Sequence, residues 1–268
     1  MIVDIIIRHS AELERVNAQL FRTNEELEAF AYVASHDLKE PLRQIETFGT
    51  LLERALRQGS PSASNLTRWF EGIQTSSRRL RMLINDLAEY SRLGRHSNPL
   101  APTPLASLVE EVRADLGKMV EESGARIEVA PLPVVMCDPV QMRQLLQNVV
   151  TNALKYRHAN RKPIITIAGV IHTPSTGANR PGVPMLELTV ADNGIGFEQR
   201  FAERIFEPFQ RLHSTDDYEG SGIGLAICRK IIDRHGGTIA ALGRPGEGAV
   251  FTIMLPLRPL PEPVQAPP

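Results

Sequence analysis

Cysteine is scarce: the 268 residues hold 2, Cys137 and Cys228, far apart and without CxxC spacing. That excludes a disulfide framework and a cysteine-based zinc site, and leaves reduced, intracellular thiols as the expectation. An excess of charge of one sign is also missing. Lys+Arg number 30 against Asp+Glu 31, interspersed, for a net charge of −1, so no basic face is offered to nucleic acid. Long apolar runs are absent too. The apolar start Ile2-Val3-Asp4-Ile5-Ile6-Ile7 is too short to span a bilayer, carries an acid, and lacks both a basic leader and a cleavage site. A soluble, cytoplasmic chain, or a soluble piece of a longer one, is expected.

What is present is apolar patterning. Hydrophobic residues make up 42% of the chain, ample for a buried core, and the length suits two compact domains or one plus a long helical element. From about 8 to 35 a seven-residue repeat places Leu13, Leu20, Leu27 and Ala34 on one seam position and Val16, Thr23 and Phe30 on the next, which predicts a coiled coil. It begins in mid-pattern without a capping signal, so residues 1–24 read as a signalling helix continuing from an upstream domain.

The segment Tyr32–Arg43 is the pivot of the chain. Leu27, Ala31, Ala34, Leu38, Leu42, Ile45, Phe48 and Leu52 form one helical stripe, and His36 falls opposite it, beside Asp37 and with Lys39, Glu40 and Arg43 on its side. An exposed histidine is ordinarily plain surface. Pro41, five residues on inside a continuous helix, removes a backbone hydrogen bond and predicts a kink. The loop 58–65 follows, then a second helix from about Leu66 to Leu93 with Trp69, Phe70, Ile73, Leu80, Leu83, Ile84, Leu87 and Tyr90 as its apolar residues. A single hairpin cannot bury both stripes, so a homodimeric four-helix bundle is expected.

After the linker from Gly94 to Pro104 the pattern changes. Helices at about 105–122, 139–157 and 222–235 alternate with strands near 125–130, 134–136, 163–171, 185–191, 238–243 and 248–255. Helices among antiparallel-type strands predict an α+β two-layer sandwich. A proline-rich tail closes the chain. The expected divisions are 1–24, 25–94, 95–257 and 258–268.

Four motifs fall in the second domain. In Asn148-Val149-Val150-Thr151-Asn152-Ala153-Leu154-Lys155-Tyr156 the two asparagines stand one helical turn apart with Lys155 on the same face. Amide oxygens suit Mg²⁺ that already carries triphosphate charge, and a lysine suits phosphate. Asp192-Asn193-Gly194-Ile195-Gly196-Phe197 follows a strand: the glycines let backbone approach a flat ligand, and Asp192 can accept from an exocyclic amino group. Gly220-Ser221-Gly222-Ile223-Gly224-Leu225 enters a helix, where main-chain amides make an anion site. It is neither a dinucleotide fingerprint, having no strand before it, nor a Walker loop, having no Lys-Ser/Thr. Phe206-Glu207-Pro208-Phe209-Gln210-Arg211-Leu212-His213 reads as a lid anchored by its phenylalanines, with Arg211 as its phosphate contact and His213 as a further candidate. Each motif alone has an ordinary structural reading, as surface asparagines, an Asx turn or a flexible entry loop. His9, His96, His158 and His172 read as polar or loop residues, and His235 as a helix-end imidazole favouring the dipole.

Together and in this order, the motifs resemble the catalytic core of a sensor histidine kinase. HDLKEPL (36–42) is similar to the family's phosphoacceptor box, NVVTNALKY (148–156) to its asparagine box, and DNGIGF (192–197) and GSGIGLAI (220–227) to its two glycine boxes. FEPF (206–209) is similar to its phenylalanine box. The wording ASHDLKEPL and IIDRHGGTI is nearest that of bacterial phytochromes, which implies an upstream light-sensing region of the bilin-binding kind. The resemblance implies the Hsp90-like ATP-binding fold, ATP and Mg²⁺ as cofactors, and transfer of the γ-phosphoryl to His36 and then to an aspartate of a response regulator.

In the site so implied, Asp37 acts as the base. Asn148 and Asn152 hold the metal. Lys155, Tyr156, Asp192, Gly194, Gly196, Arg211, Gly220, Gly222, Gly224 and Leu225 contact nucleotide. Glu40 stands where many members have Thr or Asn to orient water for dephosphorylating the regulator. A carboxylate there repels an aspartyl phosphate, which puts phosphatase activity in doubt. The alternatives are a predominantly phosphatase protein, a dimeric nucleotide-binding scaffold without chemistry, and a non-kinase ATPase, which leaves the His36 helix unexplained.

Overall fold

A computed structural model of the chain describes residues 33–59, 62–93, 98–173, 183–212 and 220–260. The expected coiled coil lies almost wholly outside them, as do His9, His96, His213 and most of the proline-rich tail. The chain divides into two units, Met1–Asn85 and Asp86–Pro268.

In the first unit α1 (33–58) runs through Pro41 without interruption, and α2 starts at Ala63 and ends at Arg92, its last turns belonging to the second unit. Two contacts set the antiparallel register of the hairpin. Ser76 Oγ donates to Gln44 Oε1 at 3.0 Å, and the Phe48 ring fills the space that a Cβ on Gly72 would take. The apolar stripe is not fully covered: Leu42, placed in it by its spacing, is exposed, and so are Leu51, Leu56, Phe70 and Ile84. One pair of helices has too little facing surface to bury two such stripes.

The second unit carries a five-stranded sheet, order β2-β4-β5-β7-β6, formed by Arg126–Val129, Ile164–His172, Met185–Asp192, Gly248–Pro256 and Thr238–Arg244. The β2–β4 pair is parallel, where an antiparallel arrangement was expected, and the other pairs are antiparallel. A separate ribbon pairs β1 (Ala101–Pro104) with β3 (Val134–Cys137). Alternation buries one face of the sheet: Ile165 and Ile167, then Leu186, Leu188 and Val190, then Phe251, Ile253 and Leu255. Helices α3 (Leu105–Asp115), α5 (Pro139–Lys155) and α6 (Gly224–Arg234) pack into that core. The helix expected over 105–122 is two: α3 ends at Asp115 with Leu116 as its C-cap, and α4 (Gly117–Ser123) follows. The last turns of α2 lie on α6, where Lys230 Nζ donates to the Tyr90 carbonyl at 3.0 Å and Arg234 to that of Leu93.

A buried polar joint fixes α5 against α6. Asp138 caps α5, accepting from the Val140 and Gln141 N–H groups at 3.0 and 3.3 Å, and Pro139 fills the first helical position. The Asp138 N–H donates to His235 Nε2 at 3.0 Å, so the ring proton sits on Nδ1, which donates to the Ile231 carbonyl at 2.8 Å. His235 is therefore a buried connector as well as a helix-end residue. His235→Leu leaves a buried N–H without its acceptor and is expected to lower the stability of this unit by about 2 kcal/mol. Urea unfolding reads the loss, and an unchanged midpoint would show that the N–H finds another acceptor.

Candidate active site

The His36 imidazole stands free of the α1–α2 contact. Its side chain is 73% exposed, while that of Asp37 is 25% exposed, and Asp37 Oδ1 lies 3.1 Å from His36 Nδ1. A carboxylate only accepts, so the ring proton belongs on Nδ1 and Nε2 carries the free lone pair. Ala34 and Pro41 are buried beneath, Leu38 is half-buried, and Glu40 is half-buried one turn on.

In the second unit three of the motifs meet. Asn148 Nδ2 donates to the Gly224 carbonyl at 3.1 Å, which orients the Asn148 amide and ties the asparagine helix to the start of α6. Asn152 is half-buried one turn further along α5. Lys155 Nζ donates to Tyr156 Oη at 2.8 Å and lies 4.4 Å from the centre of the Tyr156 ring. Lys155 Nζ lies against the Gly220 backbone, 2.7 Å from where a Cβ on that residue would stand, so a side chain there would displace the end of the lysine. Ser221 is buried, its hydroxyl accepting the Ile223 N–H at 3.2 Å and meeting the Asp86 carboxyl, which burial raises above the ordinary aspartate range against that hydrogen bond. Gly222 packs on the Phe209 backbone, and Leu225 is half-buried.

The Asp192 turn abuts the end of α5. Asp192 is the last residue of β5, and its Oδ1 accepts from the Gly194 N–H at 2.8 Å and the Ala249 N–H at 3.3 Å. Among the described residues no hydrogen bond is made to Oδ2. Burial holds this carboxyl above the ordinary aspartate range, and the two N–H groups work against that rise. The Ile195 N–H donates to the Tyr156 carbonyl at 2.9 Å, which joins this turn to the end of α5. Gly196 has φ 62°, and a Cβ there would overlap the Arg244 carbonyl, so neither the conformation nor the space admits another residue.

The phenylalanine motif is anchored by residues that no motif marks. Phe206 is buried edge-on to Phe251, ring centres 6.4 Å apart, and the Arg229 guanidinium lies 4.5 Å from the Phe206 ring while bonding Glu203 at 3.1 and 3.2 Å. Phe209 has φ 64°, and Arg211 is half-buried at the end of the described segment. Cys228 is wholly buried, its sulfur near the Asn148 amide, and burial pushes its thiol up to about 12, which keeps it a packing group. His172 lies 2.7 Å from Glu187 on the open surface of β4 and β5, away from these groups.

The donor set fits a magnesium nucleotide: two neutral amide side chains and a lysine on one helix face, a glycine loop at a helix start, and a carboxylate oxygen at a strand end. Among the described residues no helix is long and apolar enough to cross a membrane.

Comparison with known proteins bears on the family of both halves of the chain. The family model described as "Histidine kinase-, DNA gyrase B-, and HSP90-like ATPase" matches residues 137–259, and that of the "His Kinase A (phospho-acceptor) domain" matches residues 26–96. The chain is 37% identical over 256 residues to phytochrome-like protein Cph1 of Synechocystis, covering 96% of this chain and 32% of that protein. It is 38% identical over 258 residues to cyanobacterial phytochrome A of Nostoc, covering 96% and 32%. It thus spans about a third of the length of these curated relatives. Among solved structures, full-length ShkA in complex with AMPPNP aligns with TM-score 0.55 and 25% identity, over 86% of this chain and 46% of that one. Histidine kinase ThkA, solved in complex with response regulator protein TrrA, has the same fold at TM-score 0.63 and 22% identity, over 86% and 61%. Both halves of the chain point one way: it belongs to the histidine kinase family.

Proposed function

We propose that the chain is the catalytic core of a two-component sensor kinase, with residues 25–94 as the phosphoacceptor and dimerisation domain and 95–257 as the ATP-binding domain. The observation that carries this reading is His36, an exposed imidazole with Asp37 on Nδ1, in the same chain as a site whose donors match a nucleotide. His36 Nε2 attacks the γ-phosphorus of ATP, the bond to the β,γ-bridging oxygen breaks, and ADP leaves. Asp37 holds the Nδ1 proton and offsets the positive charge the ring acquires. Asn148 and Asn152 would hold Mg²⁺, which when bound neutralises triphosphate charge. Lys155 and the amides of the Gly220–Gly224 loop face the phosphates, and Asp192 reads the adenine amino group. Arg211 completes the phosphate side.

The phosphoryl then passes to an aspartate of a receiver domain. The apolar side chains left exposed on the hairpin, Leu42, Leu51, Leu56, Phe70 and Ile84, support a second copy packing there as a four-helix bundle. The much greater length of the relatives supports an upstream sensor, of phytochrome type, in a cytoplasmic protein. Glu40, a carboxylate where water would have to be aimed at an aspartyl phosphate, favours net kinase output over phosphatase output.

A phosphotransfer time course tests this. With labelled ATP and Mg²⁺ the wild type is expected to gain acid-labile, alkali-stable label, which then moves to the partner receiver. Asn152→Ala is expected to slow labelling at least about tenfold. Decay of pre-phosphorylated receiver on adding the protein, with no labelling from ATP, would reverse the assignment.

A further inference from the structure

The turn that carries Asp192 is held by more than its internal Gly194 N–H to Asp192 hydrogen bond. The loop after α5 is stitched to it through Asn193, whose Oδ1 accepts the Ile164 N–H at 2.9 Å and whose Nδ2 donates to the Lys162 carbonyl at 3.0 Å. One residue of that loop reaches further. Arg161 Nη2 donates to the Gly194 carbonyl at 3.4 Å and, more closely, to the Gly246 carbonyl in the turn between β6 and β7. The Gly246 N–H in turn donates to the Ile195 carbonyl at 2.7 Å. A single guanidinium therefore joins three segments far apart in sequence.

The consequence falls on one peptide group. The Gly194–Ile195 peptide presents its carbonyl to Arg161 and its N–H to the Tyr156 carbonyl at 2.9 Å. The Gly194 N–H, in the adjoining Asn193–Gly194 peptide, is one of the two donors that occupy Asp192 Oδ1 and leave Oδ2 without a hydrogen bond among the described residues. Glycine resists rotation of that peptide less than any other residue, so the external hydrogen bonds set its direction. A planar fork with several donors can bridge two carbonyls, whereas a lysine supplies a point charge and satisfies them less well.

We propose that Arg161 is a positioning residue for the nucleobase, holding the Gly194–Ile195 peptide so that Asp192 Oδ2 faces the amino group of adenine. This rests on the reading of Asp192 as the adenine acceptor. Arg161 itself is exposed, so its role is separable from folding of the core.

The test compares wild type, Arg161→Ala and Arg161→Lys as full chains in autophosphorylation. ATP is set against inosine triphosphate, which has an oxygen where adenine has its amino group, and urea unfolding runs alongside. Arg161→Ala is expected to raise the KM for ATP about tenfold. Its kcat at saturating ATP stays close to wild type, the ATP-over-inosine preference falls by the same factor, and Arg161→Lys recovers part of it. Loss of both nucleotides in proportion to lost stability, or no change in preference, would overturn the proposal. A wild type with no preference for ATP would overturn the Asp192 reading beneath it.

Discussion

His36→Ala is expected to leave no acid-labile label on the protein after incubation with ATP and Mg²⁺, while the affinity for ATP stays at the wild-type value. The side chain removed is 73% exposed and its hydrogen bond is to the neighbouring Asp37. Substitutions at such positions shift stability by only about 0.5 kcal/mol. The hairpin register rests on Gln44–Ser76 and on Phe48 over Gly72, which the substitution does not touch. The residues proposed to contact nucleotide all lie in the other unit, so binding and transfer are expected to separate. Asp37 cannot substitute, because a carboxylate would yield an acyl phosphate, which alkali cleaves. Calorimetric titration with ATP and the labelling assay together make the check. Persistent alkali-stable label on His36→Ala would move the phosphoacceptor to another histidine, and a parallel fall in ATP affinity would mean that His36 serves the nucleotide site directly.

The parts of this site that were legible in the sequence are those whose chemistry is local. Asn148, Asn152 and Lys155 share a helix face because 3.6 residues make a turn, and Asp192 precedes two glycines at a strand end. What was not legible is the set of contacts across long sequence separations. The Tyr156 carbonyl that accepts from Ile195, the guanidinium of Arg161 on Gly194 and Gly246, and His235 against Asp138 all depend on which segments the sheet brings together. Composition points away from the observed secondary structure at two places. Pro102 and Pro104 make 101–104 look like linker, yet a strand in a two-stranded ribbon has an open edge that tolerates residues lacking an N–H. Gly117 marks the break at Leu116, but the apolar period of the flanking residues runs across it. The parallel β2–β4 pair left no local trace, since strand direction is set by the path of the intervening α5.

Asp192→Asn is expected to weaken ATP binding about a hundredfold and to erase or invert the preference for ATP over inosine triphosphate. The reason lies in how the carboxylate is held. Oδ1 faces two donors, the N–H groups of Gly194 and Ala249, so an amide must turn its oxygen toward them. Its NH₂ then takes the place of Oδ2, donor against donor where the amino group of adenine is proposed to sit, and toward a compatible acceptor in the inosine base. The opposite rotamer sets NH₂ against both backbone donors instead.

Acid is expected to imitate the substitution. Burial raises the Asp192 pKa, so as pH falls the carboxyl takes its proton, and ATP affinity drops, at a higher pH than for an exposed aspartate. Stability runs the other way. A folded-state pKa above the unfolded value means that ionisation opposes folding, so this group's contribution diminishes as pH rises through that range and is recovered on the acid side. Asp192→Asn, neutral throughout, is therefore expected to unfold at a urea concentration no lower than wild type at neutral pH while binding ATP far more weakly. A variant that lost stability and affinity together would show Asp192 to be a brace for the turn and not the group that reads the base.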